Sequence, residues 1–470
     1  MSYKRFRIET LDARLPTRVP RIEVSRNDAC VNCGRCATAC VYGVHSRQDV
    51  AVDLTKMAEP EHALCVACQR CVNECPVDAL NLAPHPDHLA QGDSYWTPEV
   101  VTALIAEADD GQVPVSGAGY RGPFSGPGWD SMWTDMSEIV RPTRDGIGGR
   151  ETISTEIELG AKPERVETDS DGRLRRPLAP LVRLSLPVVF APPPGGDHPL
   201  RRALASVFAE TAHAVGTLAI LDEGDAASVP EGLRRAVRFS GGSWPEPERY
   251  RGLVFVELKD HPGAADEAAA VRVLAPEVVV SILVPLTAMT PGRCVALAKA
   301  GVAVVHLQAT PHGRALDSPA GRPVWLHAAL RETNEALAAS GLRDRFSLLV
   351  SGGIARAEHV AKAMLCGADA AAVEVAALVA LGMRRFNGDL GLWAPGEADL
   401  SEPARAVQRL KNLTASWREQ LLEVMGAMGI RDARRLEGEE GRALFQEILE
   451  LEFRSLFTTP SDDEHDPTYG

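Results

Sequence analysis

From about residue 176 the chain alternates short, almost wholly apolar runs with stretches whose apolar residues recur every three or four positions. The short runs are Pro187–Pro192, Thr217–Asp222, Ala236–Gly241, Leu253–Lys259, Val278–Pro285, Val302–Gln308, Phe346–Ser351 and Ala370–Val375. Rich in Val, Ile and Leu, they read as strands buried on both faces, as in a parallel sheet. Leu200–Ala214, Gly292–Ala300 and Arg356–Cys366 carry helical spacing between them. Eight β/α steps predict an α/β fold, a (β/α)8 TIM-like barrel over residues 176–400. A doubly wound open sheet is the alternative, because pattern does not show closure. Residues 401–470 read as a helical C-terminal extension, with ARAVQRLKNLTASWREQLLEVMGAM in heptad-like spacing and SDDEHDPTYG as a frayed tail. Residues 96–175 lack periodicity and hold GYRGPFSGPGWDSMWTD. They predict an irregular connector kept ordered by the packing of Trp129 and Trp133.

The first 95 residues are set apart by cysteine. Cys30, Cys33, Cys36 and Cys40 form C-x-x-C-x-x-C-x-x-x-C, and Cys65, Cys68, Cys71 and Cys75 repeat it, followed by Pro76. This is the bacterial ferredoxin spacing, in which each run gives three thiolates to one cubane and its fourth to the other. Zinc needs only paired C-x-x-C knuckles and leaves the third and fourth cysteines of each run unexplained. The reading is two [4Fe–4S] clusters, one on Cys30, Cys33, Cys36 and Cys75, the other on Cys65, Cys68, Cys71 and Cys40. The flanking residues repeat too, NDACVNCGRCATACVYGV against EHALCVACQRCVNECPVDAL, as in a duplicated half-ferredoxin. The first run ends Cys40-Val41, where the usual pattern has proline. Such clusters carry single electrons over a short wire. Cys294 and Cys366 sit in apolar helical patterns and read as inert core residues.

Hydrophobic residues make up 45% and charged residues 24% of the 470 positions, the balance of an ordinary globular protein. No run of about 18 apolar residues exists, so no membrane span is expected. The N-terminus, MSYKRFRIETLDAR, lacks an apolar signal core. Iron–sulfur chemistry with free thiolates fits a reducing compartment, and a cytoplasmic location is expected. The net charge of −14, with no dense basic patch, argues against nucleic acid as a partner.

Ferredoxin module, connector, barrel and C-terminal helices, in that order, resemble the archaeal-type, ferredoxin-fused glutamate synthase large-subunit family. Three segments carry the likeness: DMSEIVRPTRDGIGGRETISTEIELGAKP, VFVELKDHPGA and LRDRFSLLVSGGIARAEHVAKAMLCGADAAAVEVAALVALG. The resemblance implies an FMN-binding barrel. The flavin phosphate would sit at Gly352 and Gly353 and on the amides near Val373 to Val375, where glycine backbone and a following helix N-terminus suit an anion. A tight strand-to-helix turn is the plainer reading of Ser351-Gly352-Gly353. His306 and Gln308 share a strand face at the functional rim and could meet a flavin or substrate, or form an interior hydrogen-bonded pair. Glu257 and Lys259 likewise share a face, as a wall-holding ion pair or as a site.

The chain also departs from the family. Val373-Glu374 stands where a glycine leads a neutral or basic residue, and a carboxylate there repels phosphate unless it turns away. Val280-Ser281-Ile282 lacks the lysine of the family's V-S-V-K strand. Ala309-Thr310-Pro311-His312-Gly313-Arg314 replaces a glycine-rich loop, and Ala191-Pro192-Pro193-Pro194-Gly195-Gly196 replaces M-S-x-G-A. MRRFNGDLGLWAPGE holds none of the three cysteines of a [3Fe–4S] cluster. The chain begins Met-Ser-Tyr, without a cysteine nucleophile for glutamine hydrolysis, and shows no FAD or NADPH module. Gly117-Ala118-Gly119-Tyr120-Arg121-Gly122 matches a dinucleotide fingerprint, but Pro123 precludes the required helix start. Arg141, Arg144 and Arg150 could contact a phosphate or a partner's acidic face, or be ordinary surface arginines.

The expected function is an iron–sulfur electron-transfer oxidoreductase subunit of the glutamate-synthase-like class. It would pass electrons to a flavin or to other redox subunits of a hetero-oligomer. The alternative is a non-catalytic scaffold barrel that holds the ferredoxin module within a larger redox complex.

Overall fold

The computed structural model describes residues 7–15, 19–47, 57–112, 125–135, 152–162, 166–175, 178–192, 201–240, 247–318, 323–383, 400 and 402–457. The chain divides into two compact units. One comprises Arg14–Ala103 with Gly382–Ala398, the other Met1–Ala13, Leu104–Leu381 and Asp399–Gly470. The glycine-rich fingerprint at 117–122, the three connector arginines, Pro193–Gly196, the segment 384–397 and the tail from Ser461 lie outside the described residues.

In the first unit, β1 (Ile22–Arg26) opens the cysteine module, and α1 (Arg35–Ala39) and α2 (Arg70–Asn73) each follow a cysteine loop. β2 (Leu80–Pro84) closes it by pairing antiparallel with β1, Ile22 opposite Pro84 and Arg26 opposite Leu80. The ribbon is tied to the loops: Val24 N–H donates to His62 Nδ1 at 3.0 Å, and Arg26 Nη1 donates to the carbonyls of Met57 and Ala58 at 3.0 and 3.1 Å. Val24, Val44, Met57 and Leu80 form a small core against the cysteines. A module with so little apolar interior depends on another source of cohesion, as domains this small usually do. The short α3 (Pro86–Leu89) follows, and α4 (Pro98–Asp110) passes from this unit into the other at Leu104.

α4 corrects the expectation of an irregular connector. Thr97 Oγ1 accepts from Val100 N–H, Pro98 takes the first turn, and Val101, Leu104 and Ala108 are buried on one face. β3 (Met132–Thr134) and β4 (Ile157–Gly160) add further order. Trp129 is buried as expected, its ring 6.0 Å from that of His327.

The second unit is a closed barrel. β4 pairs antiparallel with β5 (Leu181–Leu184) as a hairpin. The wall then follows: β6 (Val188–Phe190), α5 (Arg201–Val215), β7 (Ile220–Asp222), α6 (Glu223–Ala226), β8 (Ala236–Phe239), β9 (Phe255–Lys259) and α7 (Ala264–Leu274). It continues through β10 (Val279–Pro285), α8 (Thr290–Lys299), β11 (Val304–Gln308), α9 (Leu326–Ala339), β12 (Ser347–Ser351), α10 (Ala357–Leu365), β13 (Ala370–Val373) and α11 (Val375–Ala380). All eight wall strands run parallel, in the order β6-β13-β12-β11-β10-β9-β8-β7. A parallel bridge between Phe190 and Ala219 joins the two ends, which excludes the open doubly wound sheet.

Alternate residues face the axis. Ile157, Leu159, Val182 and Leu184 of the hairpin pack with Val189, Ile220, Ala236, Phe255, Val279, Val304, Leu349 and Ala370 in one core. Ser347 Oγ and the backbone of Gly160 bond in both directions, at 3.1 and 3.2 Å. Lys162 Nζ and Arg343 Nη2 both reach the Asp369 carboxylate at 3.0 Å, which also accepts from Leu348 N–H. The C-terminal extension is α12 (Pro403–Met428), β14 (Ala443–Phe445) and α13 (Gln446–Phe457), so a strand interrupts the expected helix, and β14 pairs antiparallel with β3. Arg409 on α12 is 1% exposed and donates to Asp109 Oδ1 at 2.6 Å and to the carbonyls of Ala380 and Ala13 at 2.6 and 2.8 Å.

Candidate functional site

The two cysteine runs fold as copies of one loop. Asn32 and Ala67 (φ 50° and 59°) precede the second cysteine of each run, and Gly34 and Gln69 (φ 77° and 60°) follow it. Three residues past the fourth cysteine, Gly43 and Asp78 (φ 76° and 48°) match as well. Left-handed residues that carry a Cβ cost about 1–3 kcal/mol each and persist only where the surroundings impose them. Here they curl each loop so that its cysteines converge. The turn after Cys40 keeps its shape without proline, because Gly43 occupies the left-handed position.

Cys40, Cys65, Cys68 and Cys71 line one cavity, with Tyr42, Val44 and Leu82 among its other walls. Burial pushes the Cys71 thiol pKa up, and Cys65, Cys40 and Cys68 add to the rise. Burial raises Cys36 likewise, with Cys30 and Cys33 as its thiol neighbours. Cys75 packs against the same core, and its Sγ accepts from Ala79 N–H at 3.2 Å. Thiols this reluctant to ionise give up their protons to a metal, so that binding the metal and folding the loops become one event.

Four cysteines around one cavity make an all-thiolate donor set, which fits a [4Fe–4S] cubane. Cys33 and Cys68 are exposed, which leaves an edge of each site open to solvent.

The one group with metal-ligand spacing among the described residues is Asp130, Glu358 and His359. His359 Nδ1 lies 3.1 Å from Ala355 N and 3.2 Å from the Gly353 carbonyl, and its Nε2 lies 3.3 Å from Asp130 Oδ1. Lys362 Nζ, buried beside it, donates to Glu358 Oε1 at 3.3 Å and to the Trp129 carbonyl at 2.9 Å. An ammonium already supplies the positive charge, and the group reads as a structural network.

The barrel interior is polar at its carboxyl end. Glu257 is fully buried; it accepts from Arg238 Nε at 2.6 Å and lies 2.7 Å from His306 Nδ1. Burial alone raises its pKa, but Arg238 and His306 hold it down to about 2. Arg238 also reaches Asp222 Oδ1 at 3.3 Å, and Asp222 bonds to Arg201. Glu257 therefore pairs with Arg238 and His306 rather than with Lys259, which is exposed, and His306 pairs with Glu257 rather than with Gln308. Arg238 was not anticipated, although an arginine flanked by apolar residues in a buried strand is itself a signal.

Gly352 and Gly353 form the predicted turn between β12 and α10, with φ of 95° and 70°. A Cβ on Gly352 would lie 2.5 Å from the Thr310 carbonyl, so glycine is required there by packing alone. Gly353 leaves the turn bare of side chain, and Ser351 Oγ and Glu374 Oε1, both buried, have no aligned hydrogen bond at its inner side. A bare turn with unused polar atoms is compatible with a phosphate-bearing flavin. Glu374 turns into the barrel, toward Ser351, Gln308 and Arg238, rather than across the turn. Leu283, after Ile282 on β10, is buried where the family's lysine would follow.

Residues 309–431 match the conserved region in glutamate synthase, and residues 29–80 match the 4Fe-4S dicluster domain. The archaeal glutamate synthase [NADPH] of Archaeoglobus fulgidus is 26% identical, over 91% of this chain and 94% of its own. The archaeal-type glutamate synthase [NADPH] of Dehalococcoides mccartyi is 26% identical over 89% and 93%. A mandelate oxidase variant aligns over 75% of this chain and 93% of its own at 19% identity and a TM-score of 0.40, a loose likeness of shape. The chain is a relative of the archaeal-type glutamate synthases along most of its length, an iron–sulfur oxidoreductase of that class that couples a dicluster 4Fe-4S domain to a parallel barrel.

Proposed function

We propose that the protein is an electron-transfer subunit that passes electrons singly through two [4Fe–4S] clusters, to FMN in the barrel or to a partner redox subunit. The observation that carries this reading is the cavity ringed by Cys65, Cys68, Cys71 and Cys40, the last drawn from the other run. Crossed ligation of this kind holds two clusters close enough for rapid transfer between them. Gly352 and Gly353 would hold the flavin phosphate, and Gln308 would face the flavin from the end of β11. Bound FMN supplies the conversion between one-electron and two-electron chemistry.

The test is iron content and paramagnetism of anaerobic protein. Cys36→Ala should remove about four of eight irons, from the first cluster. Cys40→Ala should remove the second cluster although it lies in the first run. Equal damage to both clusters from each substitution, or zinc in place of iron, would overturn the reading.

A second reading is a scaffold barrel that holds the dicluster unit within a larger redox complex. Leu283 in the place of a flavin-facing lysine favours it. Acid extraction of the purified protein separates the two: released flavin supports the first, and its absence supports the scaffold.

A further inference from the structure

The barrel interior carries two glutamates in opposite states. Glu257 is bonded directly by Arg238 and His306. Glu374, which follows β13 and is 3% exposed, has no cation of its own. Arg238, the positive group that acts on it, gives Nε to Glu257 and Nη1 to Asp222, and no hydrogen bond joins its Nη2 to Glu374. Its polar neighbours are the neutral Ser351 and Gln308, which end β12 and β11. A buried carboxyl without a partner charge keeps its proton. Ser281 Oγ, His306 Nε2 and Arg238 Nη2 add three more buried atoms without partners to the same interior, as a site that receives a polar group does.

We propose that Glu374 is the proton-donating residue of the barrel, a neutral acid beside Ser351 and Gln308 at the carboxyl ends of three adjacent strands, with the Arg238–Glu257–His306 cluster as its fixed ionic counterpart. Two acids driven apart by their surroundings mark an acid–base assignment. Burial pushes Glu374 up to about 8, while Glu257 lies at about 2. The role rests on the electron-transfer reading above. Each electron that the clusters deliver to a small molecule at the barrel mouth is matched by one proton from Glu374, whose O–H bond breaks. The carboxylate left behind is reprotonated from water. Glu374 stands where the family pattern has a neutral or basic residue, so the device belongs to this chain.

Infrared spectroscopy of the holoprotein tests the assignment. Glu107 and Glu437 are also raised, to about 7, so the reading is the difference between wild type and the isosteric Glu374→Gln. That difference should hold the carbonyl stretch of one protonated carboxylic acid at neutral pH, fading as pH rises through about 8, with both cluster signals unchanged. No carbonyl band in the difference at neutral pH overturns the proposal whatever the clusters do. If Glu374→Gln does not fold, Ser351→Ala replaces it and should shift the band, because it removes a neighbour of the acid; an unshifted band then overturns it. Stability gives a second reading. The folded acid holds its proton more tightly than the unfolded one, so the wild type should lose stability as pH climbs from the ordinary carboxylate range to about 8, and Glu374→Gln should not.

Discussion

Ala67 shows how a single backbone angle serves the metal centre. It sits at φ 59° between Cys65 and Cys68, in the loop that lines the second cluster cavity. Alanine tolerates that angle at a cost of about 1–2 kcal/mol, whereas a β-branched side chain makes it a severe outlier. Ala67→Val should therefore lose iron from the second cluster alone, about half of the total, and Ala67→Gly should keep all of it. Metal analysis of both variants checks this, and equal iron in the two would show that the loop is not held by its ligands. The dicluster pattern was legible because a cubane imposes its thiolate spacing on the chain. Glu374 was visible as an oddity, but its direction was not, since that depends on Ser351 and Gln308 arriving from other strands. The pairing of Glu257 was misread for the same reason: its partners, Arg238 and His306, lie on the strands to either side of β9 and β10, outside its own sequence neighbourhood.

Elements were legible where their pattern was long. All eight wall strands stand where continuous apolar runs placed them, because a strand buried on both faces has no polar position to break its run. α4 was passed over although Thr97-Pro98 and the spacing of Val101, Leu104 and Ala108 spell a helix start and one apolar face. β14 could not be read: three residues pair only because β3 is presented to them. The joint between α4 and α12 makes a prediction at this scale. Removing Arg409 leaves the Asp109 carboxylate buried beside carbonyls, and losing one partner of such a pair costs about 3–5 kcal/mol. Arg409→Met should lower the unfolding midpoint markedly in a denaturant titration followed by tryptophan fluorescence. A midpoint within error of the wild type would mean that the pair contributes nothing.

At the scale of the whole molecule, the cysteine module and the barrel were both legible in sequence order, and the structure divides the chain into two compact units. Closure of the barrel was not legible, since it rests on the bridge between Phe190 and Ala219. Among the described residues no helix is long and apolar enough to cross a membrane. The account turns on the electron-carrying centres. Low-temperature electron paramagnetic resonance of dithionite-reduced, anaerobically purified protein, with iron counted on the same sample, tests them most directly. The prediction is about eight irons per chain and a spectrum broadened by interaction between two reduced [4Fe–4S] clusters. Bound zinc with no such signal, or a single isolated cluster, would contradict it.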